Sequence, residues 1–195
     1  KRLLEACKIC ENILRWDPTD QLGILELLPR YYFDARAPDF ARSLLEQQGH
    51  DGMNSYTFAL CQLMEGRRRD ALRTLCSAVT YNPYVFLLLL GERTPPRLDF
   101  ENDYVNVGSE MEAAEYLIDF GKYWRREPFL DFVRTLMRKG SPFRRRFDRF
   151  LQLTEQLERA RDFAARERLQ AEKEAILNGE DLRELLREAA DTIFS

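Results

Sequence analysis

The chain has 195 residues, 45% of them hydrophobic and 32% charged, with a formal net charge of -3; this is enough apolar material for the core of one domain, or of one domain with an appendage. The slight excess of acid argues against a protein that grips nucleic acid by bulk electrostatics, which needs a surplus of Lys and Arg. The longest wholly apolar run, Val85 to Leu90, falls far short of the roughly 20 residues of a membrane-spanning helix. With no secretory signal at its start, the chain is expected in the cytoplasm and without a membrane partner.

Apolar residues recur every three or four positions almost throughout, and no sustained alternating run suggests a strand, so the expected class is all-α. Lys1 already lies inside such a pattern, as in a piece of a longer protein. The first helical segment, with Ala6 and Ile13 at its small and apolar positions, stops at Asp17-Pro18. A helix pair follows between Gln21 and Asp51, carrying Leu27, Leu28 and Tyr31 on its first member and Ala41, Leu44 and Leu45 on its second. Pro29 is expected to kink or shorten the first of these helices, whereas Pro38 suits a helix start.

From Met53 to Pro83 the chain reads MNSYTFALCQLMEGRRRDALRTLCSAVTYNP. Phe58 with Ala59 on one helix, a break at Gly66, Ala71 and Ala78 on the next helix and a stop at Pro83 describe two helices in close approach. Small residues permit the approach, glycine takes the left-handed turn, and proline cannot continue a helix. Tyr84 to Leu90 makes a short apolar helix, and Gly91 to Val107 a loop rich in Pro and Asp, suited to covering an apolar surface. Ser109 and Glu112 form a capping box for a helix expected to run to Gly121. A partner helix from about Pro128 to Lys139 puts Phe129, Phe132, Val133 and Leu136 on one face, completing a third pair. Gly140-Ser141-Pro142 ends that pair and starts another helix. Its stripe of Phe143, Phe147, Phe150, Thr154 and Leu157 fades beyond Phe163 into the charged stretch ARERLQAEKEA. After Gly179 a last amphipathic helix carries Leu182, Leu185, Leu186, Ala189 and Ile193.

The Met53 to Pro83 segment resembles a tetratricopeptide repeat over its whole length of about 34 residues, with Ser55 in place of the usual early aromatic. Pro18 and Pro83 lie close to two such periods apart. The phrases DQLGILELL, YNPYVFLLLLGE and GSEMEAAEYL, in that order, are similar to a largely bacterial, uncharacterised subgroup of tetratricopeptide proteins, a resemblance that covers about Asp17 to Leu117 and implies architecture only. The expected fold is a tetratricopeptide-like antiparallel helix-pair solenoid over residues 1–140. Residues 141–195 form a C-terminal extension of one long charged helix and one short amphipathic helix.

The resemblance implies a non-enzymatic interaction scaffold whose inner groove is lined by the first helix of each pair. It turns Leu22, Leu25, Pro29, Tyr32, Met53, Tyr56, Leu60 and Leu63 inward. Two coverings of so apolar a groove stay open: the chain's own Tyr84 to Leu90 or Asp181 to Ser195 helix, or the amphipathic helix or peptide of a protein partner. Tyr123 and Trp124 are candidates for exposed contact residues. Arg67, Arg68 and Arg69, and Arg125 with Arg126, lie at turns, where a charge run is ordinarily solvated; as a functional rim they would grip acidic groups or anions bidentately. Two further readings are a homodimer through the C-terminal helices and, last, an RNA-binding repeat using the Arg clusters.

Catalytic and metal chemistry find little footing. His50 is the only histidine, and no nucleophile elbow, P-loop or glycine-rich dinucleotide turn is present. Carboxylate pairs such as Glu110 with Glu112 or Asp99 with Glu101 are common on any acidic surface. Cys7 and Cys10 sit mid-helix, far from Cys61 and Cys76, which suits small buried thiols better than a zinc site or a redox pair. No cofactor is expected.

Overall fold

A computed structural model of the chain describes residues 2–97 and 105–189, and all the regular structure among them is α-helical. The elements are α1 (Arg2–Trp16), α2 (Ile24–Asp34), α3 (Pro38–Gln48), α4 (Asn54–Met64), α5 (Arg68–Tyr81), α6 (Tyr84–Leu89), α7 (Glu110–Trp124), α8 (Phe129–Met137), α9 (Pro142–Arg159), α10 (Phe163–Ala175) and α11 (Gly179–Glu188). No helix among the described residues is long and apolar enough to cross a membrane.

Consecutive helices pack on one another from α1 to α5, each returning after a short connection. Between α4 and α5 the chain reverses at Gly66, whose φ of 76° is the left-handed conformation that glycine adopts without steric cost. Ala59, Ala71 and Ala78 are fully buried, so the small residues expected at the crossing do lie at the interior. Helix α4 is buried on every side, from Ser55 through Leu63. An α-helix without a wet face is a core helix, and α4 is the centre of this molecule.

Helices α6 and α7 cover one side of α4, and α7 also lies against α2. Tyr56 of α4 meets Phe86 of α6 edge-on at 5.6 Å and Tyr116 of α7 at 5.7 Å, and its hydroxyl donates to the Asn82 carbonyl at 2.5 Å. Helix α7 runs alongside α2 in the same direction: Arg30 pairs with Asp119 at 2.7 Å, Asp34 with Lys122 at 2.7 Å, and Phe33 packs on Phe120 and Tyr123. The helix expected to open a third pair thus lies along the first helix of an earlier one.

Several expected boundaries move. Helix α2 starts at Ile24, with the Asp20 carboxylate accepting from the Ile24 and Leu25 amides at 2.7 and 2.8 Å, and it continues through Pro29. Pro29 has no N–H for the Leu25 carbonyl, and the Asn54 side-chain amide of α4 donates to that oxygen instead, at 3.4 Å. Helix α7 passes Gly121 and ends at Trp124. Ser109 accepts from the Glu112 amide at 3.2 Å as its cap. Tyr123 and Trp124, expected at the surface, are 8% and 0% exposed. The Trp124 indole donates to the Tyr116 hydroxyl at 3.0 Å.

The long charged helix is two helices. Helix α9 stops at Arg159, and α10 restarts with Asp162 accepting from the Ala165 amide at 2.8 Å. The stripe of Phe143, Phe147, Phe150 and Leu153 is buried within the chain, and Phe143 and Phe147 join the same core as α4 and α7. Helix α11 does not enter the inner groove. It packs on α5 and α9, where Arg146 binds Asp181 at 2.7 Å and Glu188 at 2.8 Å. Ile193, the Asp99 and Glu101 pair and the middle of the Gly91 to Val107 loop lie outside the described residues.

Candidate cleft between α2 and α7

The parallel course of α2 and α7 leaves an open cleft of about 950 Å³ over the start of α4. One wall is Glu26, Leu27 and Arg30 of α2; the other is Glu115, Ile118 and Asp119 of α7, with Val107 at its mouth. Met53, Thr57 and Tyr116 form the floor, and Asp51 and Tyr81 close one end. Leu27 is 46% exposed, Ile118 58% and Val107 74%. Three large apolar side chains thus stay wet around one concavity.

Glu112 anchors the closed end. Its carboxylate accepts from the Tyr81 hydroxyl at 3.0 Å, the Asn82 side-chain amide at 2.9 Å and the Gly108 backbone at 2.7 Å. In a capping box the acid reaches back to the cap residue's own N–H; this one reaches a residue further, tying the loop before α7 to the end of α5. Gly108 sits where a β-carbon would come within 3.2 Å of the Tyr81 carbonyl oxygen, at a φ of 76°, so the turn requires glycine. Burial, the bond to Glu112 and the fields of Glu112, Asp51 and Glu26 push the Tyr81 hydroxyl up to about 12.

The cleft is acidic. Glu26, Asp51, Glu112, Glu115 and Asp119 face it, with Arg30 the only lining cation among the described residues, and Arg30 is held by Asp119 at 2.7 Å with Asp34 at 3.9 Å. The three donors to Glu112 are all uncharged. Among the described residues no ion pair reaches Glu26, Asp51, Glu112 or Glu115.

Of the groove residues expected from the sequence, only Met53 lines this cleft. Tyr32, Tyr56, Leu60 and Leu63 are buried, at 2%, 0%, 0% and 7% exposure; Leu25 is half-buried, and Leu22 stands exposed. Tyr32 donates to Glu11 of α1 and stacks on Phe40 of α3 at 5.5 Å. The Arg clusters lie elsewhere. Arg67 is paired with Asp70 at 2.9 Å and Glu65 at 3.4 Å, Arg68 and Arg69 are exposed, and Arg126 covers the Tyr123 ring at 4.9 Å. The Arg125 guanidinium lies against Gly121, 2.8 Å from where a β-carbon would stand. Sequence reasoning missed Leu27 as a wall and all of the α7 wall. Ile118 was the available signal, since it falls off the face shared by Ala113, Tyr116, Leu117 and Phe120.

Among the described residues no group of His, Cys, Asp or Glu is arranged to hold a metal ion. Burial pushes the Cys61 thiol up to about 12 and raises those of Cys7 and Cys76, the reverse of what activates a nucleophilic cysteine. Fold and cleft define a class, an all-helical protein with an open acidic cleft between two of its helices. Compared with known proteins, the chain matches no family, no curated protein and no solved structure.

Proposed function

We propose that the chain is a non-enzymatic protein-interaction scaffold, organised as tetratricopeptide-like helix pairs, that holds a protein partner in the cleft between α2 and α7. The observation that supports this reading most is the exposure of Leu27, Ile118 and Val107 around a single concavity. Exposed apolar side chains gathered at one concavity support a docking site there. Tyr32, Tyr56, Leu60 and Leu63, named from the sequence as groove positions, serve in this reading as core, with Met53 as the one that reaches the site. A cytoplasmic setting belongs to the same reading, supported by four cysteines that are all free thiols.

The test is capture from the native lysate with the wild-type chain beside Leu27→Glu and Ile118→Glu variants. Both positions are exposed, so helical content and the urea midpoint stay as in wild type while the captured protein is lost. Capture that both variants retain overturns the cleft as the site.

A second reading is self-association through the C-terminal helices. Helix α10 buries none of its residues and leaves Phe163 74% exposed. Light scattering over a concentration series, repeated on Phe163→Ser, decides it: a monomer at every concentration removes this reading.

A further inference from the structure

We infer that the cleft takes a cationic amphipathic segment, one that carries Lys or Arg on one side and apolar residues on the other. This rests on the reading of the cleft as a docking site and specifies the chemistry of its partner. The argument starts from charge. Four carboxylates facing the cleft, those of Glu26, Asp51, Glu112 and Glu115, have no cation from the described chain within ion-pair distance. Helix N-termini account in part for two of these acids, because Glu26 and Glu112 lie in the first turns of α2 and α7. Asp51 lies just before the N-terminus of α4, whereas Glu115, beyond the first turn of α7, has no such support.

Like charges gathered in a concavity repel one another and any anion, so phosphate and nucleic acid are disfavoured. A bare cation would balance the charge and leave Leu27, Ile118 and Val107 in water. A segment that is basic and apolar at once satisfies both features, and charge complementarity of this kind sets partner choice and association rate. The cleft volume of about 950 Å³ is close to that of two turns of helix with side chains, a cylinder about 11 Å wide and 11 Å long.

The test uses a labelled Lys/Leu amphipathic peptide and a Glu/Leu peptide of the same length and pattern, titrated with the full chain by fluorescence anisotropy. The Lys/Leu peptide is expected to bind at least about tenfold more tightly, and more weakly as salt rises. Asp51→Lys and Glu115→Lys should each weaken it by about tenfold. Glu167→Lys, an equal charge change on exposed α10, should leave it unchanged. The urea midpoints of all three variants certify the fold. Equal binding of both peptides, or equal losses in all three variants, overturns the inference. Preferred binding of the Glu/Leu peptide, lost in Ile118→Glu, overturns the charge assignment and leaves the docking reading standing. Binding of either peptide that Ile118→Glu does not disturb sinks both. A dimer of the free chain that Ile118→Glu breaks makes a second copy the occupant and likewise overturns the inference.

Discussion

Helices α7 and α11 each dock an amphipathic face on the body of the molecule, and they finish differently. At the α9 and α11 end the chain supplies its own counter-charge. Arg146, with its side chain only 13% exposed, gathers Asp181, Glu188 and, at 3.5 Å, Glu184, and beside it Phe143, Phe147, Leu185 and Ala189 are fully covered. Between α7 and α2 the docking is one-sided. Phe33, Phe120 and Tyr123 close the C-terminal half of the contact, while the N-terminal half stays open, with Leu27 and Ile118 wet and the carboxylates of Glu26 and Glu115 unanswered. An amphipathic helix buries what its neighbours can cover. Where no neighbour brings an apolar face and a cation together, the surface is left for something outside.

The sharpest way to break this contrast is at the centre. Tyr56→Glu puts a carboxylate among Phe86, Tyr116 and Leu60, and an unpaired buried charge costs more than about 4 kcal/mol. Loss of the cooperative urea transition by circular dichroism is expected; a folded variant would mean that α6 and α7 do not cover α4. Arg146→Ala is next, at about 1–3 kcal/mol, because the carboxylates gathered by a partly buried cation lose it together. Amide exchange should speed in α11 while α2 and α7 keep their protection, and an even loss across all helices would contradict independent docking of the two ends.

Alkaline pH tests the closed end of the cleft. The folded Tyr81 hydroxyl, at about 12, lies above its unfolded value of about 10, so folding favours the protonated form. That contribution is complete below about pH 10 and is lost as pH rises toward about 12. Burial raises the Tyr32, Tyr56, Tyr116 and Tyr123 hydroxyls in the same direction. The urea midpoint should hold from about pH 7 to 9 and fall above about 10. Smallest of all is Ile118→Glu, within about 0.5 kcal/mol of wild type; a larger loss of stability would mean that the cleft is structural and not free.

Much of the local structure was legible before any coordinates. Ser109 and Ser141 cap the helices they were expected to cap, and Gly66 takes the turn it was expected to take, because caps and turns depend on a few neighbouring residues. The α2 boundary failed for want of one distant partner: nothing near Pro29 shows that Asn54 will answer the Leu25 carbonyl. Tyr123 and Trp124 looked exposed beside Arg125 and Arg126, yet Trp124 has its indole partner eight residues back on its own helix, in a core closed by α6. The cleft was the least legible, since its walls lie 89 residues apart in the chain at Arg30 and Asp119 and only their juxtaposition makes a concavity.

From its residues alone this protein is all-helical, with most of its helix starts and stops marked in the chain, because periodicity, capping and breaking are short-range physics. Which stripe meets which was decided in the tertiary structure. Hydrophobic burial is non-directional, so an apolar face says that it will be covered and not by what. Only the assembled molecule put α7 along α2, sealed Tyr56 and Leu60 inside, and left Leu27 and Ile118 exposed beside an acidic cleft.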